Sequence, residues 1–106
     1  MDVQAYINEL CNRIVDRFSP HRVILFGSYA YGVPNLDSDI DLLVVMPFED
    51  SPHAQAVKIR RELESSMPLD ILARTPEQIR ERLEMKDFFM RKIVEQGRVL
   101  YEGDHA

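Results

Sequence analysis

Asp39 and Asp41 stand one residue apart at the head of an apolar run, Leu42-Leu43-Val44-Val45-Met46. In an extended strand the side chains at i and i+2 point to the same side. The two carboxylates would then share a face, with Cα atoms about 6.6 Å apart. At an effective dielectric near 20, two such anions repel by roughly 2–3 kcal/mol. A bound cation turns that cost into a gain, and magnesium takes carboxylate oxygens together with substrate phosphates. Upstream, Val23-Ile24-Leu25-Phe26 is a second apolar run, and it stops at Gly27-Ser28. A glycine after a strand lets the backbone come close to a ligand. If a short helical turn begins at Ser28, its free N–H groups suit a phosphate. A phosphate cradle beside paired carboxylates points to a metal-bound nucleoside triphosphate.

Taken together, Gly27-Ser28-Tyr29-Ala30-Tyr31-Gly32 followed by Ser38-Asp39-Ile40-Asp41-Leu42 resembles the signature of the DNA polymerase beta-like nucleotidyltransferases. Within that superfamily the chain is most similar to the minimal nucleotidyltransferases, and the resemblance covers nearly its whole length. A lone Gly-Ser or a lone Asp-x-Asp carries little; the two at this separation, between two strands, are specific. The resemblance implies an α/β (α+β) fold, with a small mixed β-sheet and helices packed on one face. It implies magnesium-dependent transfer of AMP from ATP to a hydroxyl acceptor, with Asp39 and Asp41 bridging two magnesium ions. Gly27 and Ser28 would hold the β and γ phosphates, and Tyr31 and Ser38 complete the nucleotide-binding set. Tyr31 occupies a position where many members carry arginine. Its hydroxyl could reach a phosphate, but it lacks a guanidinium's charge and paired donors. Packing of the short helix over the sheet edge is the other reading of Tyr29 and Tyr31. Ser38 is equally a residue that fixes the loop before the strand.

A third carboxylate, Asp70, lies inside the run Leu69–Ala73. Leu69 and Ile71 would point one way, Asp70 and Leu72 the other. An unpaired charge in a short buried strand is costly. Asp70 is therefore either a strand-edge residue paired with an arginine or a third acidic group of the metal site. The resemblance favours the second, since family members place an acidic residue on the following strand, where it can hold a metal and accept a proton.

The elements that must position these groups follow from spacing. Val3, Tyr6, Ile7, Leu10, Ile14 and Phe18 recur at helical intervals over residues 2–18, with Asp2 as N-cap. Residues 22–26, 39–46, 69–73 and 98–101 read as strands. Residues 28–31 form a short helical turn and 33–38 a loop. A helix is predicted over 52–66, with Pro52 in its first turn. Thr75-Pro76-Glu77-Gln78 is a capping-box pattern opening another helix, with Ile79 and Leu83 as its inner face. Residues 85–96 are helical again, closed by Gly97. Phe88 and Phe89 cannot both face one core, so one of them is free for a partner or homo-oligomer contact. The tail after Glu102 is expected to fray.

With 106 residues the chain predicts a single domain spanning residues 1–106. A formal charge of -5 argues against a nonspecific nucleic-acid binder, which usually carries a basic balance. Cys11 is the only cysteine, which excludes an internal disulfide and marks it as a small buried hydrophobe. His53 reads as a surface residue and Lys58, Arg60 and Arg61 as solvated or ion-paired. No run has the length of a membrane helix and no signal core opens the chain, so the cytoplasm is the default.

A chain of this size has little room for an acceptor-binding domain. The resemblance supplies an acceptor: minimal nucleotidyltransferases are often antitoxins of HEPN-domain toxins, and some adenylylate a toxin tyrosine. Two alternatives stand beside it. One is a catalytic subunit that nucleotidylates a small molecule with the help of a helical partner. The other is a catalytically weak module that neutralises its partner by contact.

Overall fold

The computed structural model describes residues 2–103. The chain runs α1 (Val3–Phe18), β1 (Arg22–Phe26), α2 (Ser28–Tyr31), β2 (Ile40–Val45), α3 (Pro52–Leu63), β3 (Leu69–Arg74), α4 (Pro76–Glu84), α5 (Phe88–Gln96) and β4 (Arg98–Glu102). The strands form one mixed sheet in the order β3-β2-β1-β4. β1 pairs antiparallel with both β2 and β4, while β2 and β3 run parallel with α3 as the crossover. Parallel neighbours need such a crossover, and a helix supplies it.

The expected mixed sheet is present, but its helices cover both faces, not one. Val23, Leu25, Ile40, Leu42, Val44, Ile71 and Ala73 pack with Ile7, Leu10 and Ile14 of α1 and Ile59 and Leu63 of α3. The alternate residues Ile24, Phe26, Leu43 and Val45 pack with Ile79 of α4 and with Met90 and Ile93 of α5. Period-two alternation explains the split, because odd and even strand positions face opposite sides. The unbroken apolar runs of β1 and β2 already suit strands covered twice.

Local signals explain most boundaries. Asp2 caps α1 by accepting from the N–H of Ala5 at 3.2 Å. Ser51 caps α3 through the N–H of Ala54 at 3.1 Å. The capping box at Thr75 is reciprocal: Gln78 N–H donates to Thr75 Oγ1 at 3.1 Å, and Thr75 N–H donates to Gln78 Oε1 at 3.0 Å. α3 ends three residues earlier than its pattern predicts. Glu64 turns left-handed (φ 45°), and Ser66 N–H donates to the hydroxyl of Tyr6 at 2.7 Å, which draws the chain towards β3.

The predicted helix over 85–96 is also shorter. Lys86 adopts φ 59°, and Asp87 caps α5 from there, accepting from the N–H groups of Phe89 and Met90. No glycine or proline marks this break in the sequence. Leu83, expected on the inner face, is exposed, and so are both Phe88 and Phe89. Gly97 does close α5, donating to the carbonyl of Ile93 at 2.8 Å. Cys11 is buried as expected. The expectation for the tail beyond Gly103 falls outside the described residues.

Candidate active site

β1 delivers Gly27 from its C-terminal end. β2 and β3, running the other way relative to β1, deliver Asp41 and Asp70 from their N-terminal ends. All three therefore meet at one edge of the sheet. Asp41 and Asp70 are Cα partners in the parallel ladder, and Asp41 is also the partner of Phe26, the residue before Gly27. Paired strands lie about 4.8 Å apart, so the two carboxylates leave neighbouring backbones in the same direction. Alternation with Leu43 and Leu72 places them on the sheet face covered by α4 and α5. Asp39 sits just before β2, two residues from Asp41.

Asp39 and Asp70 are exposed, while Asp41 is half-buried. Burial, then the charge on Asp70, then that on Asp39, push the Asp41 carboxyl up to about 6. The three acids thus share one electrostatic field. Among the described residues, no group of three His, Cys, Asp or Glu side chains is gathered into a ready-made metal cage. The donor set is nonetheless chemically suited to magnesium, which is bound by one or two carboxylates and completes its shell with water and substrate phosphates. The repulsion at Asp41 is one that a nearby cation would relieve.

Gly27 has a sharper role than close approach to a ligand. Its φ of 75° lies in the region that glycine adopts without strain. A Cβ placed there would sit 2.1 Å from Asp41 Oδ2. The turn is therefore packed directly onto the central carboxylate. Beyond it, Ala30 and Tyr31 N–H groups both donate to the Gly27 carbonyl, and Gly32 N–H to that of Ser28. The N–H groups of Ser28 and Tyr29 come before the first of these bonds and donate to no other described residue, as the first donors of a helix do. They follow directly on Gly27, the residue packed against Asp41.

The remaining candidates separate. Ser38 is committed to its loop: its Oγ accepts from Asn35 N–H at 2.9 Å and lies 3.5 Å from Asn35 Oδ1. Tyr31 packs against the α4–α5 face of the core, and Lys92 Nζ stands 4.7 Å from the centre of its ring. Lys92 was not among the residues singled out by the sequence. Only the fold brings α5 over the turn, and no motif links positions 31 and 92. His53 is exposed, and Lys58 pairs with Asp50 at 3.3 Å, as surface residues should.

The nucleotidyltransferase domain model of the NTP_transf_2 family matches residues 7–101. The chain belongs to that nucleotidyltransferase family. The match spans α1 to β4, so it takes in the turn and all three acids. A relative from Methanocaldococcus jannaschii, named as a candidate protein adenylyltransferase, is 28% identical over 99 residues, covering 93% of this nucleotidyltransferase and 94% of the relative. Two solved structures share the fold. One, a mutant of the toxin–antitoxin MntA–HpeT, has a TM-score of 0.57 at 20% identity. The other, a toxin–antitoxin with AMP-PNP, has a TM-score of 0.59 at 22% identity. Each alignment covers 92% of this nucleotidyltransferase and 73% of the solved chain.

Proposed function

We propose that this nucleotidyltransferase moves AMP from ATP to a tyrosine hydroxyl on a HEPN-type toxin and thereby acts as its antitoxin. The observation that carries the chemistry is the meeting of Asp41, Asp70 and the Gly27–Ser28 turn at one sheet edge. The donor is supported by the adenylyltransferase name of the archaeal relative and by the AMP-PNP of the structural neighbour. The toxin partner is supported by the two toxin–antitoxin neighbours. Its HEPN identity and the tyrosine acceptor rest on the resemblance of the Gly-Ser and Asp-x-Asp signature to minimal nucleotidyltransferases.

Asp39 and Asp41 would hold the two magnesium ions, with Asp70 assisting at one of them. When bound, such ions neutralise phosphate charge and steady the attacking and leaving oxygens. The Ser28 and Tyr29 N–H groups and the Ser28 hydroxyl grip the β and γ phosphates. Asp70, the exposed acid of the register pair, takes the proton of the incoming hydroxyl. The hydroxyl oxygen bonds to the α-phosphorus, the bond from that phosphorus to the bridging oxygen breaks, and pyrophosphate leaves. Positioning and charge neutralisation account for most of the catalysis in reactions of this type.

The test is transfer of label from α-labelled ATP, with magnesium, to the protein encoded by the neighbouring gene. Label on a tyrosine of that protein is the expected result; none from a folded preparation overturns the proposal. An Asp39→Asn, Asp41→Asn variant separates catalysis from contact. If it neutralises the partner as well as the parent does, transfer is not the function.

A further inference from the structure

Helix α5 touches the residues on either side of the Gly27–Ser28 turn, and it does so with one face. Phe89 and Lys92 are three residues apart and so project from the same side of the helix. Phe89 meets Phe26 edge to face, with ring centres 5.9 Å apart and planes at 85°. Lys92 Nζ stands over the ring of Tyr31 at 4.7 Å. Phe26 immediately precedes Gly27, and Tyr31 closes α2. The two contacts therefore straddle the Gly27–Ser28 turn, one at each end.

We propose that Lys92 binds the terminal phosphates of the nucleotide and that Tyr31 holds it in position to do so; this rests on the reading of the chain as an ATP-using nucleotidyltransferase. Lys92 makes no ion pair among the described residues, whereas its neighbour Arg91 is tied to Glu95 at 2.9 Å. An ammonium resting on a ring face is attracted by the π cloud. It still keeps N–H donors for other acceptors. A long lysine side chain normally loses much rotamer freedom when it is fixed. Docking on Tyr31 fixes it before the ligand arrives. The face it occupies carries Asp41 and Asp70, so an incoming polyphosphate meets negative charge on the sheet. Lys92 supplies a cation at the end of α2, the short helix that the turn opens. A guanidinium or ammonium is the ordinary partner of a phosphate oxygen.

The test is equilibrium binding of magnesium–ATP, tripolyphosphate and AMP to the parent, Lys92→Ala, Lys92→Arg and Tyr31→Leu proteins. Lys92→Ala is expected to weaken ATP and tripolyphosphate about tenfold or more and to leave AMP within twofold. Lys92→Arg is expected to restore most of the loss. In a double-mutant cycle, adding Tyr31→Leu to Lys92→Ala should cost little more, because both changes remove one unit. Unchanged ATP affinity in Lys92→Ala overturns the proposal, as does equal loss for ATP and AMP. Fully additive losses overturn the role given to Tyr31. A folded parent that binds neither ATP nor tripolyphosphate overturns this inference and the proposed function together. Binding by the parent with no effect of Lys92 overturns the inference alone.

Discussion

Asp41 and Asp70 are opposite partners in the parallel β2–β3 ladder, two like charges set side by side on neighbouring strands. Burial first, then the charge on Asp70, disfavours the ionised form of Asp41. The Asp41 carboxyl, at about 6, holds its proton more tightly in the folded chain than in the unfolded one, where the usual value is 3.8. Folding stability therefore falls as pH rises from about 4 to about 6, and the full penalty is present at neutral pH. Because Asp41 is half-exposed, solvent screening reduces that penalty to about 1 kcal/mol. Asp41→Asn should stabilise the ligand-free protein by that amount at pH 7 and by almost nothing below pH 4. Urea unfolding at the two pH values checks it; equal effects at both would show that the charge is not the cause.

The same substitution should slow transfer severely. Replacing Asp39 or Asp41 with asparagine is expected to lower the rate about a hundredfold or more, the scale seen when a group stabilising transition-state charge is removed. Rate measurements across a magnesium titration test this. Recovery of the parent rate at high magnesium would place the defect in ion affinity alone.

Gly27→Ala meets two obstacles, a positive φ and the Asp41 carboxylate 2.1 Å from the new Cβ. The backbone term alone costs about 1–3 kcal/mol, because φ 75° with ψ -157° is a region that almost only glycine enters. The clash must displace either the turn or the carboxylate, so nucleotide binding should be lost while the chain still folds. Thermal unfolding with and without magnesium–ATP reads both effects. A normal ligand-induced rise in Tm would contradict the packing of the turn against Asp41.

Thr75→Ala removes one half of the capping box at the start of α4. The expected loss is about 1 kcal/mol of stability. Transfer activity at a temperature well below Tm should stay near the parent level, because Thr75 is at the far end of β3 from Asp70. This variant is a control for the site variants.

Cys11 is buried, and its surroundings push the thiol up to about 11. At pH 8 only about a thousandth of it is thiolate, and thiolate is the reactive form. A thiol reagent should therefore modify the native protein far more slowly than the urea-unfolded chain. Equal rates would place Cys11 at the surface.

The local motifs of this molecule were legible and the long-range ones were not. Gly27-Ser28, Asp39-x-Asp41, the Asp2 cap and the Thr75 capping box each occupy a few consecutive residues, so spacing alone identifies them. Asp70 could be singled out as an acid in an apolar strand, but its registry with Asp41 depends on β3 running parallel to β2. The sequence left that direction open. The covering of the second sheet face was missed because α4 and α5 each bury few residues there, chiefly Ile79, Met90 and Ile93. The Lys86 break was missed because the left-handed residue is neither glycine nor asparagine. Lys92 became visible only when Phe89 and Tyr31 were seen to bracket the turn.

The pairing of β2 with its two neighbours has one more effect. Shifting a strand by a single residue exchanges its two faces. In β2 such a slip would drive Asp41 in among Ile7, Leu10 and Ile59 and move Leu42 and Val44 to the face under α4 and α5, where Leu43 and Val45 lie in the native register. Both faces of the strand would stay apolar, so the penalty falls on the one carboxylate buried without a partner. The acid at the candidate site thus also marks the strand's alignment, which its apolar neighbours alone would leave ambiguous.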